Sequence, residues 1–315
     1  MPRNAAARRV IFCPRKTERS ANPFRQTKRG VTMKLKYYGT GGGGGIPEIF
    51  CDCRVCRNAR EVGGKEIRTR SQAVIDGKIA LEFPVDTFLH TAYCGLDMRR
   101  IHNIVVTHGH YDHFLPQDLF SRPQGYESPL RIYATEASAA KMLETIAAQE
   151  EAYATGKRIR TSDFSIEYHP VEVGVPFEID EYRFTALKAH HAQGVQSVMY
   201  VIENTAEGKH ILWAHDTGPF YASALEWLAD YPHVFDFVSL DCTLARGELI
   251  TAAHMDILGC NEMKQKLEKM GRTDAHTQFY LSHIGHLLRQ THAEVEAEAA
   301  AFGMRPAYDG LTVEI

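Results

Sequence analysis

The stretch Thr107-His108-Gly109-His110-Tyr111-Asp112-His113 follows the apolar run NIVV at residues 103–106. Four potential metal ligands fall within six residues, at relative positions 0, 2, 4 and 5. NIVV has the apolar, β-branched character of a buried strand. On a strand, residues two apart share a face, so His108 and His110 can grip one ion. A turn then lets Asp112 and His113 face a second ion nearby. Imidazole and carboxylate donors suit zinc, iron, manganese and similar divalent ions. Burying four such side chains together without a metal would be costly. The run therefore reads as a metal centre at the end of a strand.

The surrounding chain fits a sheet-rich α/β domain with helices packed outside. Strands are expected at 35–38, 73–83, 104–107, 130–133, 184–187, 197–202, 210–214, 235–241, 279–282 and 311–315. Helices are expected at 136–154, 221–229, 258–270 and 291–302, with Asp256 capping the third and Gly271 just past its end. The 315 residues allow two domains or one large α/β unit. A hydrophobic fraction of 44% and a charged fraction of 24% exclude collagen-like and wholly disordered chains. No apolar run approaches the roughly 20 residues of a membrane-spanning helix. Residues 1–32 hold nine Arg and Lys and one acid, and are expected to be a basic, disordered extension. Residues 33–315 then form one domain carrying 27 basic and 38 acidic residues, a net of −11. That charge disfavours a nucleic-acid partner, because polyanion binding needs a basic surface.

A second ligand cluster is Cys51-Asp52-Cys53-Arg54-Val55-Cys56. The seven cysteines are odd in number and three crowd into this stretch. That argues for metal in a reducing compartment rather than a disulfide framework. Three thiolates on a short loop cover three corners of a zinc tetrahedron, and a fourth ligand is needed. Cys13, Cys94, Cys242 and Cys260 lack such spacing and read as ordinary thiols.

The run from His108 to His113 resembles the H-x-H-x-D-H signature of the metallo-β-lactamase superfamily. The family's later ligands have counterparts in order. FTALKAHH (184–191) offers His190 or His191, with strand register favouring His191; ILWAHDTG (211–218) offers Asp216; FYLSHIGH (279–286) offers His283. The resemblance implies a four-layer αβ/βα fold, two mixed β-sheets sandwiched between helices. It implies that His108, His110 and His191 hold one divalent ion, that Asp112, His113 and His283 hold another, and that Asp216 bridges them. The ions would be manganese or zinc, with iron also admitted. One departure is LEFPVD (81–86), where the family often has Asp-x-Gly before the metal run; Glu82 or Asp86 must stand in.

C-x-C-x-x-C followed late in the chain by H-x-x-H is similar to the PhnP-like phosphodiesterase branch of that superfamily. The resemblance extends to GTGGGGGIP (39–47), RTRSQAVI (68–75), LDCT (240–243) and AYDGLTVEI (307–315). It implies a structural zinc held by Cys51, Cys53, Cys56 and His286. It also implies hydrolysis of a small phosphodiester, cyclic ribose or nucleotide-like, by a hydroxide bridged between the two ions. Asp112 and Asp216 would take part, and His254 in AAHMDI would donate a proton to the leaving oxygen. Arg68, Arg70 and Ser71 are candidates to contact phosphate or sugar. His215 is left out, since it should face the opposite side of its strand from Asp216. By family analogy the enzyme would be cytoplasmic and homodimeric, with no membrane partner. Two other readings stay open: a PqqB-like non-hydrolytic binding or carrier protein, and an RNA-processing nuclease of the same superfamily.

Overall fold

The computed structural model describes residues 32–123, 125–153, 160–192, 194–244 and 253–315. The expected extension over residues 1–32, apart from its last residue, lies outside the described residues, as does Cys13. The strands β1 (Lys34–Gly39), β2 (Gln72–Ile75), β3 (Ile79–Leu81), β4 (Asn103–Val105), β5 (Leu130–Ala134) and β6 (Ile166–Pro170) belong to a first sheet. A second sheet takes β7 (Pro176–Ile179), β8 (Tyr182–Lys188), β9 (Val198–Asn204), β10 (Lys209–Ala214), β11 (Phe237–Asp241), β12 (Gln278–Ser282) and β13 (Arg305–Pro306). The last strand, β14 (Thr312–Glu314), returns to the first sheet beside β1. The helices are α1 (Arg54–Val62), α2 (Thr87–Tyr93), α3 (Glu136–Tyr153), α4 (Ala222–Asp230), α5 (Ile257–Lys269) and α6 (His292–Ala300).

The sheet orders are β14-β1-β2-β3-β4-β5-β6 and β13-β12-β11-β10-β9-β8-β7. Both are mixed. From β14 to β3 the pairing is antiparallel and from β3 to β6 parallel. In the second sheet, β7 to β10 pair antiparallel and β10 to β13 parallel. Strand periodicity sorts the core into layers. Phe237 faces the other sheet with Tyr37, Phe184, Tyr200 and Trp213, while its neighbour Val238 faces α4 and α5 through Leu228 and Met263. A third cluster, with Ile104, Ile132 and Met142, seats α3 on the outer face of the first sheet. The result is helix, sheet, sheet, helix, as the family resemblance implies.

Local chemistry sets the boundaries. Asp256 Oδ1 accepts from Gly259 N at 2.6 Å, and Gly271 lies at φ +69° just past α5. Thr291 and Glu294 form a reciprocal capping box that starts α6. The single strand expected at 73–83 is instead the hairpin β2–β3. Asp76 and Gly77 both take positive φ, 47° and 69°, and turn the chain back. Strands β6 and β7 were not expected; they lie at the sheet edges and expose polar residues, which blurs their alternation. Helices α1 and α2 are short. The buried residues of α2 are Thr87 and His90, so no apolar stripe announces it. Among the described residues, no helix is long and apolar enough to cross a membrane.

Candidate metal centre

The C-terminal ends of β4, β8, β10, β11 and β12 open on one edge of the sandwich, and the histidine and aspartate motifs follow those ends. Loops at carboxyl ends of strands are where open α/β sheets build their sites. Strand β4 stops at Val105, so the expected strand through Thr107 is cut short. His108 and His110 therefore meet on a loop rather than on a strand face. A tight turn, with His113 N donating to His110 O at 3.0 Å, folds that loop back on itself.

Two of the donor clusters that share Asp216 are built from the motif residues. In the first, His110 Nδ1 lies 2.9 Å from His108 Nε2 and 3.1 Å from His191 Nε2. Asp216 Oδ2 is 3.0 Å from His108 Nε2 and 3.2 Å from His191 Nε2. In the second, His113 Nε2 is 3.1 Å from His283 Nε2, 3.5 Å from Asp112 Oδ2 and 3.3 Å from Asp216 Oδ2. Donors on a zinc tetrahedron with bonds of 2.0–2.1 Å stand about 3.3 Å apart. The spacings here, and a donor set of imidazole and carboxylate alone, fit a divalent ion in each cluster. His190 is not in either; its Nδ1 donates to Pro219 O at 3.1 Å. His215 is fully buried between Ser71 and Ser239, away from the clusters.

Surrounding groups aim the ligands. Glu82, not Asp86, stands behind the metal run: its Oε2 accepts from Thr107 N at 3.2 Å and its Oε1 lies 3.4 Å from His113 Nδ1. Asp86 is instead tied to Arg70. Asp241 was missed in the sequence as a site residue. Its Oδ2 lies 3.1 Å from His283 Nδ1 and 3.3 Å from His254 Nδ1, and its Oδ1 accepts from Met255 N. A carboxylate on Nδ1 fixes the ring so that Nε2 is left to bind. Glu82, Asp216 and His283 all hold left-handed backbone, at φ 72°, 51° and 55°. Such angles are unfavourable for residues with a Cβ and collect at sites that need a side chain in an unusual direction.

Electrostatics follow from this packing. Burial alone would raise the Asp216 carboxyl, but the imidazoles of His283, His108 and His113 outweigh it and hold it well below the usual carboxylate range. Burial alone would lower His254, but Asp241 and then Asp216 raise it above an ordinary imidazole. His254 Nδ1 lies 3.2 Å from Asp216 Oδ1 at the rim of the clusters, and it joins Asp216, Asp241 and His283 in a further, overlapping donor group.

The glycine-rich strap 41–45 passes directly over this edge. A Cβ on Gly42 would stand 3.2 Å from the His283 ring, and one on Gly43 3.3 Å from Asp112 Oδ2. The expected substrate contacts need correction. Arg68 is buried and its guanidinium is spent on Thr40, Ala307 O and His292. Ser71 is also buried, bonded to His215. Neither is available to a substrate. Arg70 reaches the strap, with Nε donating to Gly43 O at 3.1 Å, but Asp86 neutralises it.

Cys51, Cys53, Cys56 and His286 also converge, their donor atoms all within 4.8 Å of one another. His286 Nδ1 is 3.2 Å from Cys51 Sγ and 3.6 Å from Cys53 Sγ. Glu48 Oε2, 2.8 Å from His286 Nε2, takes the other side of the ring and leaves the Nδ1 lone pair facing the thiols. Burial raises Cys53, yet the Cys56 N–H and the His286 ring bring it down to about 6. Cys53 is the N-cap of α1, where the helix dipole favours a thiolate. The four donors fit a closed zinc site.

Residues 85–284 match the family described as the beta-lactamase superfamily domain. The coenzyme PQQ synthesis protein B of Bradyrhizobium diazoefficiens is 24% identical over 158 residues, 46% of this chain and 47% of that protein. The chain thus matches about half the length of this curated relative. Among solved structures, a diphosphatase from the PhnP family superposes with a TM-score of 0.69 at 22% identity, covering 90% of this chain and 98% of that one. The Zn(2+)-bound PqqB from Methylobacterium extorquens gives a TM-score of 0.64 at 18% identity, over 90% and 100%. With two mixed sheets between helices and His/Asp clusters at the strand ends, the chain belongs to the metallo-β-lactamase superfamily and has its hydrolase fold.

Proposed function

We propose that this protein is a metal-dependent phosphodiesterase acting on a small phosphodiester, cyclic ribose or nucleotide-like. The observation that carries this reading is the place of His254. It sits against Asp216, which the two clusters share, and against Asp241; with Asp216, Asp241 and His283 it forms a further overlapping group in which both carboxylates lie on its Nδ1. Two divalent ions held by His108, His110, His191, Asp112, His113, His283 and Asp216 would lower the pKa of a water shared between them and offset charge on the attacked phosphoryl group. His254 adds what an ion does not. Asp241 and Asp216 keep the proton on Nδ1, which leaves Nε2–H to donate to the departing oxygen. An alkoxide is a poor leaving group, so a held proton at that point matters most for a sugar ester. The negative domain also favours a small substrate over a nucleic acid. We read the cysteine cluster as a structural zinc site, since four protein donors leave no open position.

The test is hydrolysis of a ribose 1,2-cyclic phosphate by metal-reconstituted protein. Turnover that disappears in Asp216→Ala supports the reading. No turnover of any phosphodiester, with both clusters loaded, overturns it. The sequence match to PQQ synthesis protein B then favours the second reading, a non-hydrolytic binding or carrier protein.

A further inference from the structure

The glycine strap 41–45 joins the two halves of the second donor cluster. Gly41 bridges to Arg70 on one side and to Ile284 on the other. Gly42 N donates to Ile284 O at 3.3 Å, next to His283 in the loop after β12 of the second sheet. One residue on, Gly43 O accepts from Tyr111 Oη at 2.7 Å, next to Asp112 in the loop after β4 of the first sheet. The strap runs close to the donor atoms. Methyls added at Gly42 and Gly43 would stand 3.2 Å from the His283 ring and 3.3 Å from Asp112 Oδ2. It therefore forms a wall beside this cluster. Tyr111 is 53% exposed, so its ring is not there to fill a core. Its backbone is fixed, with Val85 N donating to Tyr111 O at 3.2 Å. The phenol thus reaches out of the metal run and spends its O–H on the strap. Gly43 O takes a second donor, Arg70 Nε at 3.1 Å, and Asp86 holds that guanidinium at 3.2 Å.

Given the phosphodiesterase reading above, we propose that Tyr111 is a positioning residue that determines specificity: its phenol latches the strap beside the second cluster and so suits the site to compact diesters. Tyr111 acts through Gly43 and does not touch the reacting atoms. A wall held in place gives a small cyclic ester one preorganised pose, so less ordering is left to be done on binding. The same wall leaves little room for a diester with two aryl groups. Removing the hydroxyl keeps the ring and every cluster residue but leaves Gly43 O to Arg70 alone. The strap then loosens at the point nearest Asp112. The compact ester loses its pose, while the bulky ester gains room.

The test is Tyr111→Phe in the metal-loaded full chain, with two readouts. Amide exchange over residues 41–45 should quicken by about five- to tenfold, the scale of one neutral hydrogen bond, with metal content and melting temperature held. On a ribose 1,2-cyclic phosphate, KM should rise by a similar factor with kcat within about twofold, whereas on bis(p-nitrophenyl) phosphate KM should hold or fall. Unchanged exchange overturns the latch. Losses of the same size on both esters, or a fall in kcat with KM unchanged, overturn the specificity role, since a merely structural defect acts on both alike. If the wild type hydrolyses neither ester, the phosphodiesterase reading has failed and the specificity role falls with it; the exchange result keeps that failure distinct from failure of the latch.

Discussion

Asp241 does more at the residue scale than its place in the sequence suggests. One buried carboxylate orients both His283, a cluster ligand, and His254, the proposed acid. Asp241→Asn is expected to lower turnover about 10²-fold or more through His254. It is also expected to weaken the ion beside His283 by about 10–100-fold, measured by competition with a chelator. The clusters of histidine and aspartate were legible in the sequence because four candidates lie in the one run His108–His113, and His191, Asp216 and His283 each follow an apolar strand. Asp241 was not, because LDCT reads as an ordinary strand terminus and its partners stand 13 and 42 residues away. Arg68 was misread for the converse reason. A basic residue in RTRS suggests phosphate, and only the fold reveals Thr40, Ala307 and His292 consuming its guanidinium. His190 and His191 are adjacent and alike in type; the turn that sends one ring to Pro219 O and the other to Asp216 separates them.

Two loops meet at the cysteine cluster on the scale of elements. The start of α1 brings Cys53 and Cys56, and the loop after β12 brings His286, while Ile284 N donates to Thr40 O beside the glycine strap. Cys53→Ser is expected to release one zinc equivalent, lower the melting temperature and speed hydrogen exchange in 41–62 and 283–289. Unchanged zinc content would contradict that role. Gly42→Ala should leave the fold intact but lower turnover, by about tenfold, because the added methyl presses a fixed His283 ring. The long central strands were legible as apolar runs covered on both faces. The β2–β3 hairpin carried an Asp-Gly turn signal at 76–77 between two short apolar runs, 73–75 and 79–81, and the single strand expected at 73–83 ran through it. Strands β6 and β7 have only one covered face and no clean alternation, so composition could not announce them.

The whole molecule holds histidines that fold as neutral groups. Burial pushes His90 down to about 4, and burial with Arg68 and Lys65 nearby pushes His292 down to about 3. The unfolded chain binds those protons near pH 6.5, so stability is full above that value and falls as pH drops from about 6.5 to 4. His90 alone contributes roughly 3 kcal/mol to that loss. Denaturant melts of metal-loaded protein between pH 8 and pH 4 check the slope, which should be shallower in His90→Gln. At the same scale, both sheets place their strand ends around one candidate metal centre, and we propose His254 as the acid at its rim. The most direct test of that claim compares His254→Asn with wild type on two substrates: a ribose 1,2-cyclic phosphate, whose alkoxide needs a proton, and bis(p-nitrophenyl) phosphate, whose phenolate does not. The account predicts a loss of about 10²-fold or more on the sugar ester and under about tenfold on the activated ester. Equal losses on both, or none on the sugar ester, would contradict it.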